Sequence, residues 1–289
     1  METTDVHEHV ESIIKTHSQS FYKAFALLPE AKARAVFAIY AFCRTADDAI
    51  DVHRDIARID ELEKHLKATF EGNPPQDPLF QALAEAIEAF PSNIDPYLEL
   101  LGGLRDDYNP TPMKTDADLD DYCYNVAGTV GVMLLPVLAS KTIKKKKKKL
   151  TDVAIELGKA MQITNILRDV RDDLINDRIY FSEETMEQHK LEIEITRTGL
   201  VTPEWISMME HYIGLAKEKY RVFYDHVDLF DHDARYPTML AATLYEAILD
   251  KIAHKGYRNL NRRYDVGSLK KWMLTRRVRK TLHKRGLDE

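Results

Sequence analysis

An acidic cluster at residues 47–51 (DDAID) closes a strongly apolar segment of the chain. If this segment is helical, Asp47 and Asp51 stand four positions apart and their carboxylates share one face. Tyr40 and Arg44 fall on the same stripe, seven and three positions before Asp47. Like charges at this spacing destabilise an isolated helix by roughly 0.2–0.5 kcal/mol, so we expect a cation or hydrogen-bond donor nearby.

A second acidic cluster comes after another apolar segment, at residues 165–173 (NILRDVRDD). Asn165, Asp169 and Asp173 are spaced by four, so a helix would bring their oxygens to one edge. Gln162 and Asp172 lie close to that edge. A single Asp-rich stretch is typical of a solvated helix face. Two such clusters, each with an arginine and an apolar segment beside it, favour cation binding instead.

Oxygen donors without His or Cys partners are the ligands that Mg²⁺ prefers. Mg²⁺ held by a few carboxylates commonly completes its coordination with water and substrate phosphate. The chain contains neither the GxSxG motif of serine hydrolases nor the HExxH motif of zinc proteases. The two clusters therefore predict a magnesium site that acts on a phosphorylated substrate.

Helical periodicity through nearly the whole chain predicts the elements that position both clusters. The chain has only 11 Gly and 11 Pro, which favours long helices over many short strands. Breaks are expected at 73–75 and 109–112, where prolines cluster. Helices are expected near 30–52, 55–70, 78–90, 95–107, 116–139, 151–176, 202–229, 234–257 and 267–284. The prediction is an all-α fold in a single domain over residues 1–289.

Composition and charge restrict the function classes. The net charge of −6 gives no general support for nucleic-acid binding. Cys43 and Cys123 lie far apart, which indicates a reducing compartment and no zinc site. The N-terminus lacks the apolar stretch of a signal peptide, and the longest apolar run, 130–139, is too short to cross a bilayer. We expect a cytoplasmic protein, with peripheral contact at the inner membrane face left open.

Two further segments carry unusual charge. Residues 144–149 are an unbroken lysine run, interpreted as a solvated loop. Residues 270–285 carry eight basic side chains among apolar ones, which fits either a helix docked on its own domain or one resting on an anionic membrane. The acidic N-terminus is expected to be mobile, with His7 and His9 solvated.

Several segments together resemble the squalene and phytoene synthase family. In the order of that family they are HSQSF (17–21), AIYAFCRTADDAID (38–51), YCYNVAGTVG (122–131), LGKAMQITNILRDVRDD (157–173) and DRIYFS (177–182). Other prenyl synthases share the first aspartate cluster, whereas HSxSF together with QxxNxxRDxxxD is highly specific. Positions after about 255 match loosely. Within the family, the resemblance is nearest to members that make dehydrosqualene.

The resemblance implies an isoprenoid-synthase helical bundle with a central apolar cavity, and Mg²⁺ ions, two or three of them, bridged by substrate at its entrance. It assigns metal binding to Asp47, Asp48, Asp51, Asn165, Asp169, Asp172 and Asp173. It assigns substrate binding to His17, Ser18, Ser20, Phe21, Tyr40, Arg44, Gln162, Asn165, Arg168, Arg178, Tyr180, Tyr245 and Arg263. The residues expected to be essential for catalysis are Asp47, Asp51, Asp169, Asp173, Arg44 and Tyr40.

The expected reaction joins two farnesyl diphosphates head to head, through presqualene diphosphate, to dehydrosqualene (4,4'-diapophytoene), the first step of C30 carotenoid biosynthesis. Bulky Phe25 and Phe37 favour farnesyl over geranylgeranyl diphosphate, and NADPH is not expected as a cofactor. The cavity lining is expected to include Phe21, Phe25, Phe37, Phe42 and residues 132–138. Gly128 and Gly131 are expected to mark either passage of a prenyl tail, a helix bend or ordinary helix packing.

Other functions stay open at this point. Within the family they are a phytoene synthase, which joins two geranylgeranyl diphosphates, and an NADPH-dependent squalene synthase. A terpene cyclase acting on one diphosphate should not need HSxSF or the YNVAGTVG segment. A non-catalytic isoprenoid-binding or assembly protein should have lost acidic ligands, and here both clusters are complete. The oligomeric state is left open.

Overall fold

Helices make up the fold throughout residues 3–288, the part of the chain that the computed structural model describes, and no strand occurs there. The α-helices are α1 Thr3–His17, α2 Gln19–Phe25, α3 Glu30–Asp51, α4 Ile56–Phe70, α5 Pro78–Ala89, α6 Asp95–Tyr108, α7 Asp116–Cys123, α8 Thr129–Leu138, α9 Ile143–Ile175, α10 Glu183–Gln188, α11 Ile193–Arg197, α12 Pro203–Asp225, α13 His232–His254 and α14 Ser268–Lys284. A π-helical turn, Tyr124–Gly128, joins α7 to α8. The predicted all-α fold class is confirmed.

The two acidic clusters lie at the C-terminal ends of α3 and α9. Pro29 occupies the position before α3, and the helix buries an apolar face that runs from Ala33 to Ile50. The C-terminal end of a helix carries partial negative charge, so carboxylates there gain no stabilisation from the helix dipole. Cations from elsewhere in the structure must therefore offset them.

A cavity of about 480 Å³ lies between the helices that carry the clusters and their neighbours. α9 packs against α8, α12 and α13, while α3 packs against α1, α5, α6 and α8. α13 in turn packs against α2 and α14. Residues from α2, α3, α6, α8, α9 and α13 line the cavity, so the expected central cavity is present.

The π-helical turn and α8 cross α9 at short range, and glycines permit the crossing. A Cβ at Gly131 would lie 2.3 Å from the carbonyl oxygen of Ala154, and a Cβ at Gly158 would lie 2.2 Å from that of Ala127. No other residue type tolerates such backbone contacts, so each position requires glycine. Passage of a prenyl tail, a helix bend and helix packing were the three explanations for Gly131, and the structure favours helix packing.

The run Asp116–Leu138, which includes α7, the π-helical turn and α8, is long and apolar enough by length and composition to cross a membrane. In the structure it packs against α6 and α9, and part of it lines the cavity. Interior helices of folded domains share this length and composition. The run is therefore explained by its place in the bundle.

The prediction of a loop at the lysine run, residues 144–149, is wrong. These lysines lie in the first turns of α9, with a kink at Lys146 (φ −129°, ψ 31°). All six side chains are exposed, as expected of a solvated segment. Lysine is a good helix former, and side chains that point in all directions around a solvated helix end reduce their mutual repulsion.

The prediction of a mobile N-terminus is also wrong for the described residues, which form α1. This helix packs on α3 and α5 through three buried side chains spaced by four, Val6, Val10 and Ile14. The acidic neighbours obscure that helical period in the sequence. His7 is largely buried, with its Nε2 atom 2.9 Å from the Glu85 carboxylate, whereas His9 is exposed as expected.

The C-terminal segment forms α14, and it docks on its own domain. Leu274, Val278 and Leu282 are buried on one face of the helix, which packs against α13. The inner face of α14 therefore fits the interpretation of a helix docked on its own domain. The outer face carries a different set of side chains, which includes the exposed Trp272.

We expect Gly158→Ala to destabilise the fold by roughly 1–3 kcal/mol, because the new methyl group forces the π-helical turn and α9 apart. Urea unfolding monitored by circular dichroism measures the change. Gly214→Ala in α12 is a matched control, since a Cβ there meets nothing within 4 Å. That substitution should stabilise the protein by about 0.5–1 kcal/mol through helix propensity, and equal effects of the two changes would contradict the packing argument.

Candidate active site

The C-terminal ends of α3 and α9 bring the two clusters to one opening of the cavity. Asp47 from α3 lines the same cavity as Asn165 and Arg168 from α9. The pKa of Asp173 is raised by burial, by Asp169 and also by Asp51, so the carboxylates of the two helices act on each other. This opening, surrounded by residues 44–51 and 165–173, is the mouth of the cavity.

Arg44 holds two carboxylates of the first cluster. Its Nη1 atom lies 3.3 Å from a carboxylate oxygen of Asp47, and its Nε donates to Asp48 at 3.1 Å. The Asp47 side chain remains 41% exposed and lines the cavity, whereas that of Asp48 is 23% exposed and does not. Asp47 is therefore the residue of this pair that faces the interior of the cavity.

Two arginines converge on Asp169 in the second cluster. Arg168 Nε donates to Asp169 Oδ1 at 2.9 Å, and Arg263 Nε lies 3.1 Å from the same oxygen. Arg263 comes from the segment after α13, where the sequence match was loose, and the structure brings it to the mouth. The Arg168 guanidinium also lies 5.9 Å from the centre of the Tyr245 ring, which lines the cavity.

A sharp turn after α9 brings a further arginine across the mouth. Asp177 adopts a left-handed conformation (φ 56°), which aspartate tolerates better than most residues, and it lies in the turn that ends α9. The Arg178 backbone N–H donates to the Asp173 carbonyl oxygen at 2.9 Å, while its guanidinium pairs with Asp51. Arg178 thus links the end of α9 to the end of α3.

Burial, and then neighbouring negative charge, raise the pKa of one carboxyl group in each cluster. Burial, and then the charge of Asp51, raise the pKa of Asp47 to about 7, although Arg44 opposes the shift. Burial, and then Asp169, raise the pKa of Asp173 to about 7 against the influence of Arg178. The arginines therefore do not return either carboxyl group to its ordinary pKa, and a cation bound beside these groups would favour their ionised form.

Sequence reasoning missed an acidic residue next to the mouth, Asp107 at the end of α6. Burial raises its pKa to about 6, and Tyr122 donates a hydrogen bond to its carboxylate at 2.9 Å. The ring of Tyr180, a predicted substrate-binding residue, stacks on Tyr122 with 5.1 Å between centroids. Asp107 belongs to an RDDY sequence in an amphipathic helix, and Tyr122 begins the YCYNVAGTVG segment, but their pairing is not visible in the sequence.

Aromatic side chains line the apolar part of the cavity near the mouth. Phe21 stacks on Tyr245 with centroids 4.7 Å apart, and Tyr40 approaches Phe21 edge-on at 6.4 Å. Phe25 also lines the cavity, 6.0 Å from Phe21. Deeper in, the lining consists of aliphatic side chains, among them Leu134 from α8.

Two of the phenylalanines predicted to line the cavity do not. Phe37 lies in a separate groove between α1 and α3, where its ring is 5.7 Å from that of Tyr22. Phe42 is fully buried and packs against Phe80 and Tyr97. The helical period of α3 explains Phe42, which points to the opposite side of the helix from Tyr40. Phe37 falls at the edge of the stripe of Tyr40 and Arg44, on the side that faces Tyr22.

The remaining predicted residues divide into those that line the cavity and those at its rim. His17, Ser18 and Ser20, around the junction of α1 and α2, line the cavity with Gln162 and Asn165. The predicted residues outside the lining are Asp48, Asp51, Asp169, Asp172, Asp173, Arg178 and Tyr180. Asp172 is exposed to solvent, and its role as a ligand remains a prediction.

The donor atoms at the mouth are of the type that binds Mg²⁺. Asn165 Oδ1 is buried and has no hydrogen-bond partner, although its Nδ2 donates to Gln162 at 3.3 Å. An unpaired buried oxygen beside carboxylates with raised pKa values is a donor set suited to a hard cation. Among residues 3–288, no three His, Cys, Asp or Glu side chains already surround one point at metal-binding distance. Arginine contacts hold these carboxylates instead.

We expect Asp47→Asn to raise the melting temperature of the metal-free protein at pH 8. Because the pKa of Asp47 is raised by folding, its ionisation opposes folding above pH about 7, and this effect disappears as the pH falls to about 4. The side chain is partly exposed, so solvent screening limits the gain to roughly 1 kcal/mol. Differential scanning calorimetry from pH 4 to pH 8 measures it.

Asp120→Asn is the control of opposite sign. Hydrogen bonds from Lys159 and Lys219 lower the pKa of Asp120 despite its partial burial, so its ionisation favours folding. That substitution should lower the melting temperature by a similar amount throughout pH 5–8, and the loss should shrink only as the pH falls below about 4. Identical pH profiles for the two variants would contradict the electrostatic description of the mouth.

Comparisons with known proteins agree with this geometry. The squalene/phytoene synthase family profile matches residues 14–272. A 4,4'-diapophytoene synthase of Staphylococcus haemolyticus is 37% identical over 95% of this chain and 96% of its own length. A 15-cis-phytoene synthase of Synechocystis is 34% identical over 92% and 82% of the two chains. A dehydrosqualene synthase crystal structure superposes with a TM-score of 0.91, at 34% identity and 98% coverage of both chains. The chain therefore belongs to the squalene/phytoene synthase family.

Proposed function

We propose that the protein condenses two molecules of farnesyl diphosphate head to head to give dehydrosqualene. The observation that carries the proposal is the mouth itself, where two carboxylate clusters and four arginines border an apolar cavity. Such a site suits a substrate with a diphosphate head and a hydrocarbon tail. The similarity to a 4,4'-diapophytoene synthase over 95% of the chain supports the C30 product.

The reaction divides into two ionisations. The C1–O bond of one farnesyl diphosphate breaks, and both electrons leave with diphosphate. The alkene of the second substrate supplies the electrons of the new carbon–carbon bond, and loss of a proton closes the cyclopropane of presqualene diphosphate. Its diphosphate leaves in turn, the skeleton rearranges, and loss of a second proton gives dehydrosqualene. The sum releases two diphosphates and two protons and consumes no reductant.

Asp47, Asp51, Asn165, Asp169 and Asp173 are the residues proposed to hold Mg²⁺, with Asp48 and Asp172 beside them. Bound Mg²⁺ supplies Lewis-acid stabilisation of the negative charge that develops on the departing diphosphate. Two features of the chain support this set. One is the unpartnered Asn165 oxygen, and the other is the pair of carboxyl groups whose pKa values stand near 7.

The arginines of the mouth are proposed to bind the diphosphate groups. Arg44, Arg168, Arg178 and Arg263 each contact an aspartate in the ligand-free structure. A guanidinium group offers a planar fork of N–H donors that matches phosphate oxygens. A diphosphate in the mouth competes with the aspartates for these donors, and aspartates released in this way are free to bind cations.

The lining of the cavity is proposed to protect the carbocation. The stacked rings of Phe21 and Tyr245 and the edge of Tyr40 present π faces near the mouth, each able to stabilise positive charge by roughly 0.5–2 kcal/mol. Aliphatic side chains deeper in the cavity exclude water, which would otherwise trap the cation as an alcohol. Burial also raises the pKa of the Tyr40 phenol, so Tyr40 stays protonated during the reaction.

The length of the substrate's hydrocarbon tail and the location of the protein complete the proposal. Phe25 lines the cavity, and its bulk supports a C15 tail, whereas Phe37 lies outside the cavity and has no bearing on the length of the tail. A phytoene synthase remains the second candidate because a relative of that name is 34% identical to this chain. The two cysteines are unpaired, which supports the expected cytoplasmic location.

We expect Asp169→Asn to reduce turnover at least 100-fold, because it removes a metal ligand and alters the charge that orients Arg168 and Arg263. Product formation from labelled farnesyl diphosphate measures the loss, and circular dichroism shows whether the fold is intact. Asp120→Asn, outside the mouth in the network of Lys159 and Lys219, should retain turnover.

Chelation with EDTA should stop the wild-type reaction and added Mg²⁺ should restore it. Full activity of folded Asp169→Asn, or of the chelated enzyme, would refute the metal assignment.

Product analysis distinguishes the three family activities. With an equal mixture of farnesyl and geranylgeranyl diphosphate, we expect mainly dehydrosqualene, because the bulky Phe25 side chain lines the cavity. Addition of NADPH should leave the product unchanged, since the balanced reaction needs no hydride. Phytoene as the main product would favour the C20 reaction, and squalene formed only with NADPH would show a reductive second half.

A further inference from the structure

The last helix, α14, has an outer face that its own fold does not explain. Its inner face, formed by Leu274, Val278 and Leu282, is buried against α13. On the opposite side, Leu269, Trp272 and Met273 stand about one helical turn apart or less and share a single outward face. A surface helix normally carries polar residues on that side, so these three side chains call for a separate explanation.

These three side chains lie close together, and each is about half exposed or more. Leu269 is 72% exposed, Trp272 is 55% exposed and Met273 is 46% exposed. Among the described residues, seven large hydrophobic side chains are exposed, and three of them fall within these five consecutive positions. Isolated exposed apolar residues are ordinary, but a cluster that includes tryptophan is typical of a contact surface.

The charge around the cluster indicates what it contacts. Residues 268–285 carry eight lysines and arginines and no acidic residue, in a chain whose net charge is −6. Arg276 and Lys280 continue the outward face beyond the apolar cluster, and the Arg276 guanidinium lies 4.9 Å from the Trp272 ring. An apolar patch with a cationic border complements a surface that is hydrocarbon inside and anionic outside.

We propose that the outer face of α14, defined by Leu269, Trp272, Met273, Arg276 and Lys280, docks the protein on an anionic lipid bilayer. The apolar side chains enter the headgroup region while the two cations contact lipid phosphates. Trp and Met are favoured at such interfaces because they combine a large apolar surface with adaptable or amphipathic character. The helix itself stays packed on α13 and lies along the membrane surface.

The docking face adjoins the cavity. Lys271, within the same helical turn, lines the cavity and donates to Ser20 Oγ at 3.0 Å. Asp265 and Val266, just before α14, also line the cavity. Docking by this face therefore places one wall of the cavity next to the bilayer. If the proposed function holds, a C30 hydrocarbon product leaves towards lipid and not into water.

Binding to vesicles tests the surface without any substrate, so its outcome is independent of the proposed function. The probe is the full chain with vesicles of phosphatidylcholine, either alone or mixed with a minor fraction of phosphatidylglycerol, measured by sedimentation. We expect binding to the anionic vesicles and little to the neutral ones. Trp205 is fully buried, so a blue shift of tryptophan emission on binding reports Trp272 entering the interface.

Two variants separate the apolar and cationic contributions. Trp272→Ser with Leu269→Ser should weaken binding to anionic vesicles by roughly tenfold or more, because the apolar burial is lost. Arg276→Gln with Lys280→Gln should weaken it by about 30-fold, since each cation near an anionic surface contributes about 1 kcal/mol. None of these four side chains lines the cavity, so turnover in detergent solution should be unchanged.

The chain supplies matched controls for both variants. Lys147→Gln with Lys148→Gln removes the same charge from the exposed lysine run in α9, and Leu200→Ser removes a side chain that is 61% exposed elsewhere. Both controls should bind anionic vesicles within about twofold of wild type. Equal losses in the controls and the α14 variants would show nonspecific attraction and would overturn the proposal.

Two other outcomes would also overturn it. One is absence of wild-type binding to anionic vesicles at physiological salt. The other is a concentration-dependent dimer, detected by sedimentation equilibrium, that Trp272→Ser with Leu269→Ser dissociates while vesicle binding is absent. In that case a second copy of the chain covers the face. Binding to anionic vesicles as expected, combined with no dehydrosqualene production, would support the docking surface and refute only the proposed function.

Discussion

The structure depends on how negative charge is held at the edge of an apolar interior. The ends of two long helices each present several carboxylates to one opening, and helix dipoles do nothing to stabilise them there. Arg44, Arg168, Arg178 and Arg263 supply the missing positive charge from four different positions in the chain. The packing of α3, α9 and α13, together with the turn after α9, allows all four arginines to pair with aspartates at the same time.

The pairing has a consequence for ligand-free protein. With the arginines engaged, no group of carboxylates among the described residues already encloses a cation, yet the clusters remain more negative than their partners can offset. In the proposed function, metal and diphosphate would each make binding of the other more favourable, because diphosphate takes the arginines and the metal takes the carboxylates that the arginines release. This coupling is a form of positive cooperativity between two ligands at one site. It favours joint occupation of the mouth over either ligand alone.

Much of the fold could be predicted because the long helices have a clear apolar period. The missed elements are α1, whose period acidic neighbours obscure, and α2, α10 and α11, which are too short for a period to show. The site was predictable where spacing within one helix places residues together, as for Asp169 and Asp173. Contacts between distant segments were not, so Asp107 beside Tyr122 and the exclusion of Phe37 from the cavity required the structure.

The π-helical turn at Tyr124–Gly128 determines how this bundle tolerates change. A π turn contains one residue more than a regular helical turn, and its wider backbone takes up that residue, so that α7 continues into α8. The turn supplies the Ala127 carbonyl that faces Gly158, while α8 places Gly131 against the Ala154 carbonyl. A residue inserted between Gly128 and Gly131 would rotate the rest of α8 by about 100° and present Val130 to α9 in place of glycine. Insertions there are therefore excluded by helical phase.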